Sequence, residues 1–414
     1  MSARGREALA TALVAAVLPV MLGACAEDPL SLGSEKVPGA GVETRDVTIS
    51  VSDLSSWRDT TLTGFARPST APFVYVAAGT DVSSRGLARF NVPDTMRTFV
   101  DTLPVATFEE VEFALRVDTV RSEFTAFPIT VKLVELGERF EPHGATWREA
   151  AAGVPWTEPG GSLGVEIASA VLEAVSDSLL MTPAVAEDSL MKAWQREDGG
   201  NGFAIVVDGP ETKLRITRMA LRYDPTLVGR SVPVPQSQFW DDHAFIVDPP
   251  PPPAGTELRV GGLPASRIYF EFVPPGLLGE AGLQGATVSQ AEVILHPLAA
   301  PGLYAAERTI EARKVSLLGD PFETGEKTPI GSGDLATTTL DPARLREGDP
   351  VRLDITLLMA RAVQDSLRLI RIGFRADPDA QALGYWEFGS AESPPELQPR
   401  LRVVFSSAPA FTVP

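Results

Sequence analysis

The residues from Phe140 to Gly161, FEPHGATWREAAAGVPWTEPGG, gather His143, Glu141, Glu149 and Glu158 around Trp147 and Trp156. A histidine beside carboxylates has the makings of a general acid and base, since both can exchange a proton near neutral pH. The chain has only three histidines, and His243 and His296 stand in unrelated contexts. A lone histidine in a polar loop is more often a surface residue than a catalyst. No Gly-x-Ser-x-Gly elbow, phosphate-binding loop or His-Glu-x-x-His zinc helix occurs. The acids Asp241-Asp242 and Asp377-x-Asp379 lack the run of oxygen ligands that a calcium loop needs. The expectation is a protein that is not an enzyme, with a hydrolase or lyase on Glu141–Glu158 as the weakest alternative.

The elements that would hold such a loop follow from bulk properties. At 414 residues the chain exceeds one ordinary core, so two or three domains are expected. Gly 35 and Pro 36 punctuate it throughout, which favours short strands joined by turns. A net charge of −18 repels phosphate backbones and excludes nucleic acid as a partner.

The first residues are a targeting signal rather than fold. Arg4 and Arg6 precede an apolar run from Ala8 that ends in Leu22-Gly23-Ala24-Cys25. That ending resembles the bacterial lipobox, in which the cysteine is acylated and opens the mature chain. Cys25 is the sole cysteine, so no intrachain disulfide is possible and lipidation would consume its thiol. Residues 1–24 are thus read as a lipoprotein signal peptide and 25–44 as a flexible tether. Ala26 and Glu27, with no Asp directly after Cys25, resemble outer-membrane sorting signals. The protein would meet the membrane through its lipid alone.

The rest is one unit written twice. Trp57-Arg58-Asp59 returns as Trp240-Asp241-Asp242, SRGLARFNVP from Ser84 as SRIYFEFVPP from Ser266, and VEFAL from Val111 as AEVIL from Ala291. ITVKLVELGERFE from Ile129 matches IEARKVSLLGDPFE from Ile310, again about 182 residues on. Later matches drift: LMKAW at Leu190 faces LMARA at Leu358, and KLRI at Lys213 faces RLRV at Arg400. The blocks alternate apolar and polar, as half-buried strands do. Only PAVAEDSLMKAWQRE, and ITLLMARAVQ in the second copy, carry helical spacing. The fold class is all-β: two tandem jelly-roll-like β-sandwiches, each with one short helix. The spans are 45–228 and 236–407, with the proline run Pro249–Pro253 as a stiff loop inside the second.

The first unit resembles the disaggregatase-related DNRLRE repeat family. The shared features are the strand holding Arg89 and Phe90, Thr146-Trp147, Trp156, Pro159-Gly160-Gly161, a helix ending in Trp194, and Asn201-Gly202. Phe140 stands where the family usually has tryptophan, and the second unit lacks the Thr-Trp, the second Trp and the Asn-Gly. The resemblance implies jelly rolls akin to carbohydrate-binding modules, some of which carry a structural calcium. Asp59 and Asp242, equivalent in the repeat, are the metal candidates; no other cofactor is expected.

Sugar binding needs exposed aromatic faces, and Trp147, Trp156, Tyr385 and Trp386 are the candidates. Packing is the usual role of tryptophan in a sandwich. Because GYWEFG lies outside the matched blocks, Tyr385 and Trp386 rank first as ligand residues. The function expected is a lipid-anchored envelope protein that binds polysaccharide or cell-envelope glycan. The alternative is a structural lipoprotein that contacts a protein through sandwich edges.

Overall fold

The computed structural model describes residues 43–407 except 55, 98–100, 197–199, 231–234, 274–286, 300–305, 307–308, 318, 323–329, 365–368 and 380–381. The segments expected as signal peptide and tether, with Cys25, lie outside the described residues but for the last two residues of the tether. Among the described residues no helix is long and apolar enough to cross a membrane.

The principal strands run in chain order as follows. β1 (Glu43–Ser50) and β2 (Trp57–Thr63) lead into β3 (Val74–Ala78), β4 (Ser83–Arg89), β5 (Thr102–Val117) and β6 (Ile129–Leu136). Then come β7 (Leu163–Leu172), β8 (Ser178–Met181), helix α1 (Glu187–Arg196), β9 (Phe203–Asp208), β10 (Thr212–Leu227), β11 (Gln236–Phe239) and β12 (Asp242–Asp248). The second copy continues with β13 (Leu258–Gly261), β14 (Ser266–Phe272), β15 (Thr287–Leu295), β16 (Ile310–Leu317) and β17 (Ile330–Leu340). It closes with α2 (Pro342–Arg346), β18 (Val351–Asp354), α3 (Thr356–Gln364), β19 (Ile370–Ala376), β20 (Tyr385–Phe388) and β21 (Arg400–Ser407).

The fold is all-β and sandwich-like, and the two units share one plan. In the first, one layer runs β7-β6-β9-β4-β12 and the other β11-β10-β5-β8, all antiparallel. In the second, the matching layers run β17-β16-β19-β14-β2 and β1-β21-β15-β18. α1 and α3 follow corresponding strands, and Met191 and Met359 are both fully buried. The second unit carries the short α2 as well, one helix more than the sequence suggests.

The plan has an exchange that the spans 45–228 and 236–407 do not contain. β2, which precedes the first unit, lies along β14 of the second, and β12, which follows the first unit, lies along β4. β1 likewise joins β21. Each of these leading strands completes a sheet in the sandwich next to its own reading frame. The proline run, expected as a loop inside the second unit, therefore carries the chain from one sheet system to the other. Pro252 is fixed there by Arg259, whose Nη1 donates to its carbonyl at 2.8 Å.

The KLRI–RLRV match is also displaced. The first half of β10 pairs with β3, and its counterpart is β20, which pairs with β13. The second half of β10 sets Leu221 opposite Phe113, as β21 sets Leu401 opposite Val293. GYWEFG is thus part of the shared framework.

The alternation read from the sequence is real burial. Val131 and Leu133 of β6 are fully buried, while Lys132 between them meets Asp208 at 2.6 Å on the other face. In the first core, Phe90, Phe113, Trp194 and Phe203 pack with ring centroids about 6 Å apart, a spacing at which offset and edge contacts are favourable. α1 is held over this core by its first turn: the Glu187 and Asp188 carboxylates accept from Val111 N (3.2 Å) and Phe108 N (3.1 Å). These amides flank a bulge in β5, where Glu110 has φ 52 and register with β10 shifts. Leu263 and Ala265, from the β13–β14 turn, enter the first core and join the two sandwiches.

Candidate functional site

The loop Phe140–Gly161 folds down on the outer face of β6, β9, β4 and β12. Phe140, Ala150 and Trp156 make a small separate core there with Leu87, Leu136, Ala204, Ala244 and Ile246. Trp156 is 6% exposed and its Nε1 donates to the Thr146 carbonyl at 2.8 Å. Trp147 is half-buried, with the Arg85 guanidinium 5.1 Å from its ring centroid. Arg85 Nη1 donates to the carbonyls of Gly160 (2.7 Å) and Gly161 (2.9 Å), and burial lowers its pKa. Gly160 has φ 85, and a side chain there would run into Arg85 and Trp147. Gly202, from the Asn-Gly pair, has φ 84, and a Cβ would stand 2.7 Å from the Ala88 carbonyl. These residues are the scaffolding of the loop. His143 is exposed, and its carbonyl accepts from Arg67 at 3.3 Å.

The remaining candidates are placed as follows. Tyr385 is 1% exposed and Trp386 3%, in a strand buried along its whole length. Trp386 belongs to the second core, so neither ring offers a face to a sugar. GYWEFG is expected to lie outside the shared framework, and β20 lies inside it. Asp59 and Asp242 occupy different sandwiches. Asp242 takes Arg89 Nε at 3.0 Å, whereas Asp59 takes Trp57 Nε1 and Ala391 N, each at 2.9 Å. Burial pushes the Asp59 pKa up, opposed by those two hydrogen bonds. Among the described residues no three His, Cys, Asp or Glu groups converge to hold a metal.

A cavity of about 530 Å³ lies between the sandwiches, within the usual range for small-ligand sites. The first sandwich lines it with Tyr75, Arg121, Glu123, Lys213 and Arg215, Glu123 being paired with Lys213 at 3.1 Å, and the second with Glu311, Asp377 and Asp379. Arg215 is 5% exposed and its guanidinium lies over the Phe73 ring at 4.0 Å. Its Nη1 is 3.3 Å from Asp118, while its Nε makes no hydrogen bond among the described residues. Burial, together with the nearby Arg121, lowers its pKa. Across the cavity Asp379 receives Arg267 Nε on Oδ2 at 3.0 Å, and its buried Oδ1 makes no hydrogen bond among the described residues. Gly261 and Gly262, both at positive φ, form the turn at its base.

Sequence reasoning missed this cavity because its walls come from opposite ends of the repeat. Of its lining, only Asp377-x-Asp379 stands out in the sequence, as paired acids without the ligands of a calcium loop; Asp377 is ion-paired with Arg313. No protein-family model matches the chain, and no curated protein matches it in sequence.

Proposed function

We propose that this chain is a lipid-anchored envelope protein that binds a polysaccharide or cell-envelope glycan without catalysing its breakdown. The observation that carries the reading is the cleft between the sandwiches, lined by Arg215 and Asp379, whose buried Nε and Oδ1 make no hydrogen bond among the described residues. Sugar hydroxyls both donate and accept, so a glycan suits a cleft whose walls offer donors and acceptors. The resemblance of the first unit to DNRLRE modules supports the same class of ligand. Cys25 behind Leu22-Gly23-Ala24 supports attachment by lipid, with the outer membrane as the site favoured by Ala26 and Glu27.

A glycan array of the mature protein tests it, with Thr309→Trp as the control. Thr309 is exposed and lines the cleft, so an indole there takes up cavity space without replacing a buried side chain. Retention on a polysaccharide that Thr309→Trp abolishes is expected. Retention unchanged by it moves the site elsewhere, and no retention on any polysaccharide removes the glycan reading. Labelling by a radioactive fatty acid, lost in Cys25→Ser, tests the anchor.

One observation favours the second reading, a scaffold that binds protein. β7 is the outermost strand of its layer and exposes Leu163, Val165 and Val171. Around Ala168 this edge is bridged to Pro183, with Ala184 N donating to the Ile167 carbonyl at 2.7 Å, so it is the stretch around Leu163 and Val165 that can accept a strand from another chain.

A further inference from the structure

We infer that the cleft between the sandwiches takes a zwitterionic ligand, one that carries an anionic group for Arg215 and an amine for Asp379. The inference rests on the reading of the cleft as a binding site and narrows its ligand.

The argument is one of matching charge. The first sandwich presents Arg121, Lys213 and the 95% buried Arg215, with one acid, Glu123, taken up by Lys213 at 3.1 Å, and the second presents Glu311, Asp377 and Asp379. Arg215 is fixed in plane by Phe73 and held on one side by Asp118, which leaves its Nε edge for an acceptor. Asp379 is held through one oxygen by Arg267, itself stacked 3.9 Å from the Phe65 ring, which leaves Oδ1 for a donor. A buried polar atom without a partner is costly, and a charged one more so. A purely anionic ligand would satisfy Arg215 and confront the acidic wall. A purely cationic one would do the reverse. A ligand with both groups meets each wall with the opposite charge, and charge-assisted hydrogen bonds are the strong ones.

Within the glycan class this describes a sugar with a free amine and a carboxylate on one residue. The test is calorimetric titration of the mature protein with four monosaccharides: muramic acid (amine and carboxylate), glucosamine (amine only), glucuronic acid (carboxylate only) and glucose. Muramic acid should bind about tenfold tighter than either singly charged sugar, since each charge-assisted contact contributes about that factor. Asp379→Asn should reduce muramic acid to the affinity of glucuronic acid, with a thermal melt checking that the variant is folded. If it is not, the four-sugar order on the unaltered protein still decides. Equal binding of glucose and muramic acid would overturn the zwitterion and leave the glycan reading standing. A glycyl dipeptide binding as tightly as muramic acid would keep the zwitterion and overturn the sugar. Binding of none of these probes would overturn the inference.

Discussion

Arg89 and Glu271 hold matching positions in β4 and β14 and carry opposite charges. Arg89 stands in register with Asp242 of β12 and is ion-paired with it; Glu271 stands in register with Arg58 of β2 and takes its Nε at 2.7 Å. Were each leading strand to stay with its own unit, Arg58 would meet Arg89 and Asp242 would meet Glu271. The two pairs therefore favour the exchanged strands over the unexchanged ones by charge alone, a specificity made from repulsion as much as attraction.

Glu271 is the more sensitive of the two. Its side chain is 5% exposed and also takes Arg371 Nε at 2.5 Å, so its removal leaves two arginines to share the Asp320 carboxylate, 2.8 Å from Arg371 and 3.5 Å from Arg58. Glu271→Gln should cost about 3 kcal/mol in urea unfolding, as loss of one partner in a buried ion pair does. Arg89→Asp should cost less, because Asp242 is 39% exposed and solvent screens it. Adding Asp242→Arg to Arg89→Asp should recover part of the loss; no recovery would mean that the pair does not select the strand.

Much of this was legible in the sequence, and the failures have physical causes. Period-two patterning located β5, β6 and β9 because each has one face on a core, and helical spacing located α1 through Met191 and Trp194. The exchange of β2 and β12 left no such trace. A strand's pattern records that one face is buried, not which sheet buries it. Tyr385 and Trp386 misled for the opposite reason: β20 is buried throughout, Glu387 included, and matches nothing obvious in the first copy, because β10 continues unbroken where the second copy is interrupted between β20 and β21. The cleft was illegible, since Arg215 and Asp379 are brought together only by packing of the two sandwiches.

Trp386→Ala should unfold rather than merely weaken binding. The ring is 3% exposed in the second core, and an aromatic deleted from a core costs about 3–5 kcal/mol. Trp147→Ala, removing a half-buried ring covered by Arg85, should cost about 1–2 kcal/mol. Equal urea midpoints for the two variants would contradict this placement.

Gly202→Ala should lower stability by about 3 kcal/mol, more than backbone strain alone accounts for. At φ 84 an alanine is strained already, and its Cβ would also press on the Ala88 carbonyl and the Phe140 ring. Gly153→Ala, also at positive φ but with open space around it, isolates the strain and should cost about 1 kcal/mol.

Asp59 predicts a pH dependence with a definite sign. Burial raises its pKa in the folded state, so the folded protein holds this proton to higher pH than the unfolded chain does. Its contribution to stability is present below the ordinary aspartate pKa and is lost as pH rises through the raised value. Asp59→Asn keeps an oxygen for Trp57 Nε1 and Ala391 N while removing the charge. The variant should be more stable than the parent at neutral pH, and the gap should close toward pH 3 in thermal melts. A gap that widens on acidification would reverse the assignment.

The strand exchange has a consequence for a nicked chain. Proteolysis within Pro249–Gly255 separates two fragments, one ending in β12 and the other starting before β13. If the units were independent beads, the fragments would part on gel filtration. Here the first fragment carries β1 and β2, which lie in the second sandwich through eight and seven registered pairs, and Leu263 and Ala265 of the second fragment lie in the first core. The cut chain should therefore elute at the mass of the intact one and separate only in denaturant. Once separated, the second fragment should refold poorly alone, because removal of β2 leaves Glu271 without Arg58 and bares the edge of β14. Addition of the first fragment should restore it, read by recovery of the native elution position. Separation without denaturant would show that the exchanged strands do not hold the sandwiches together.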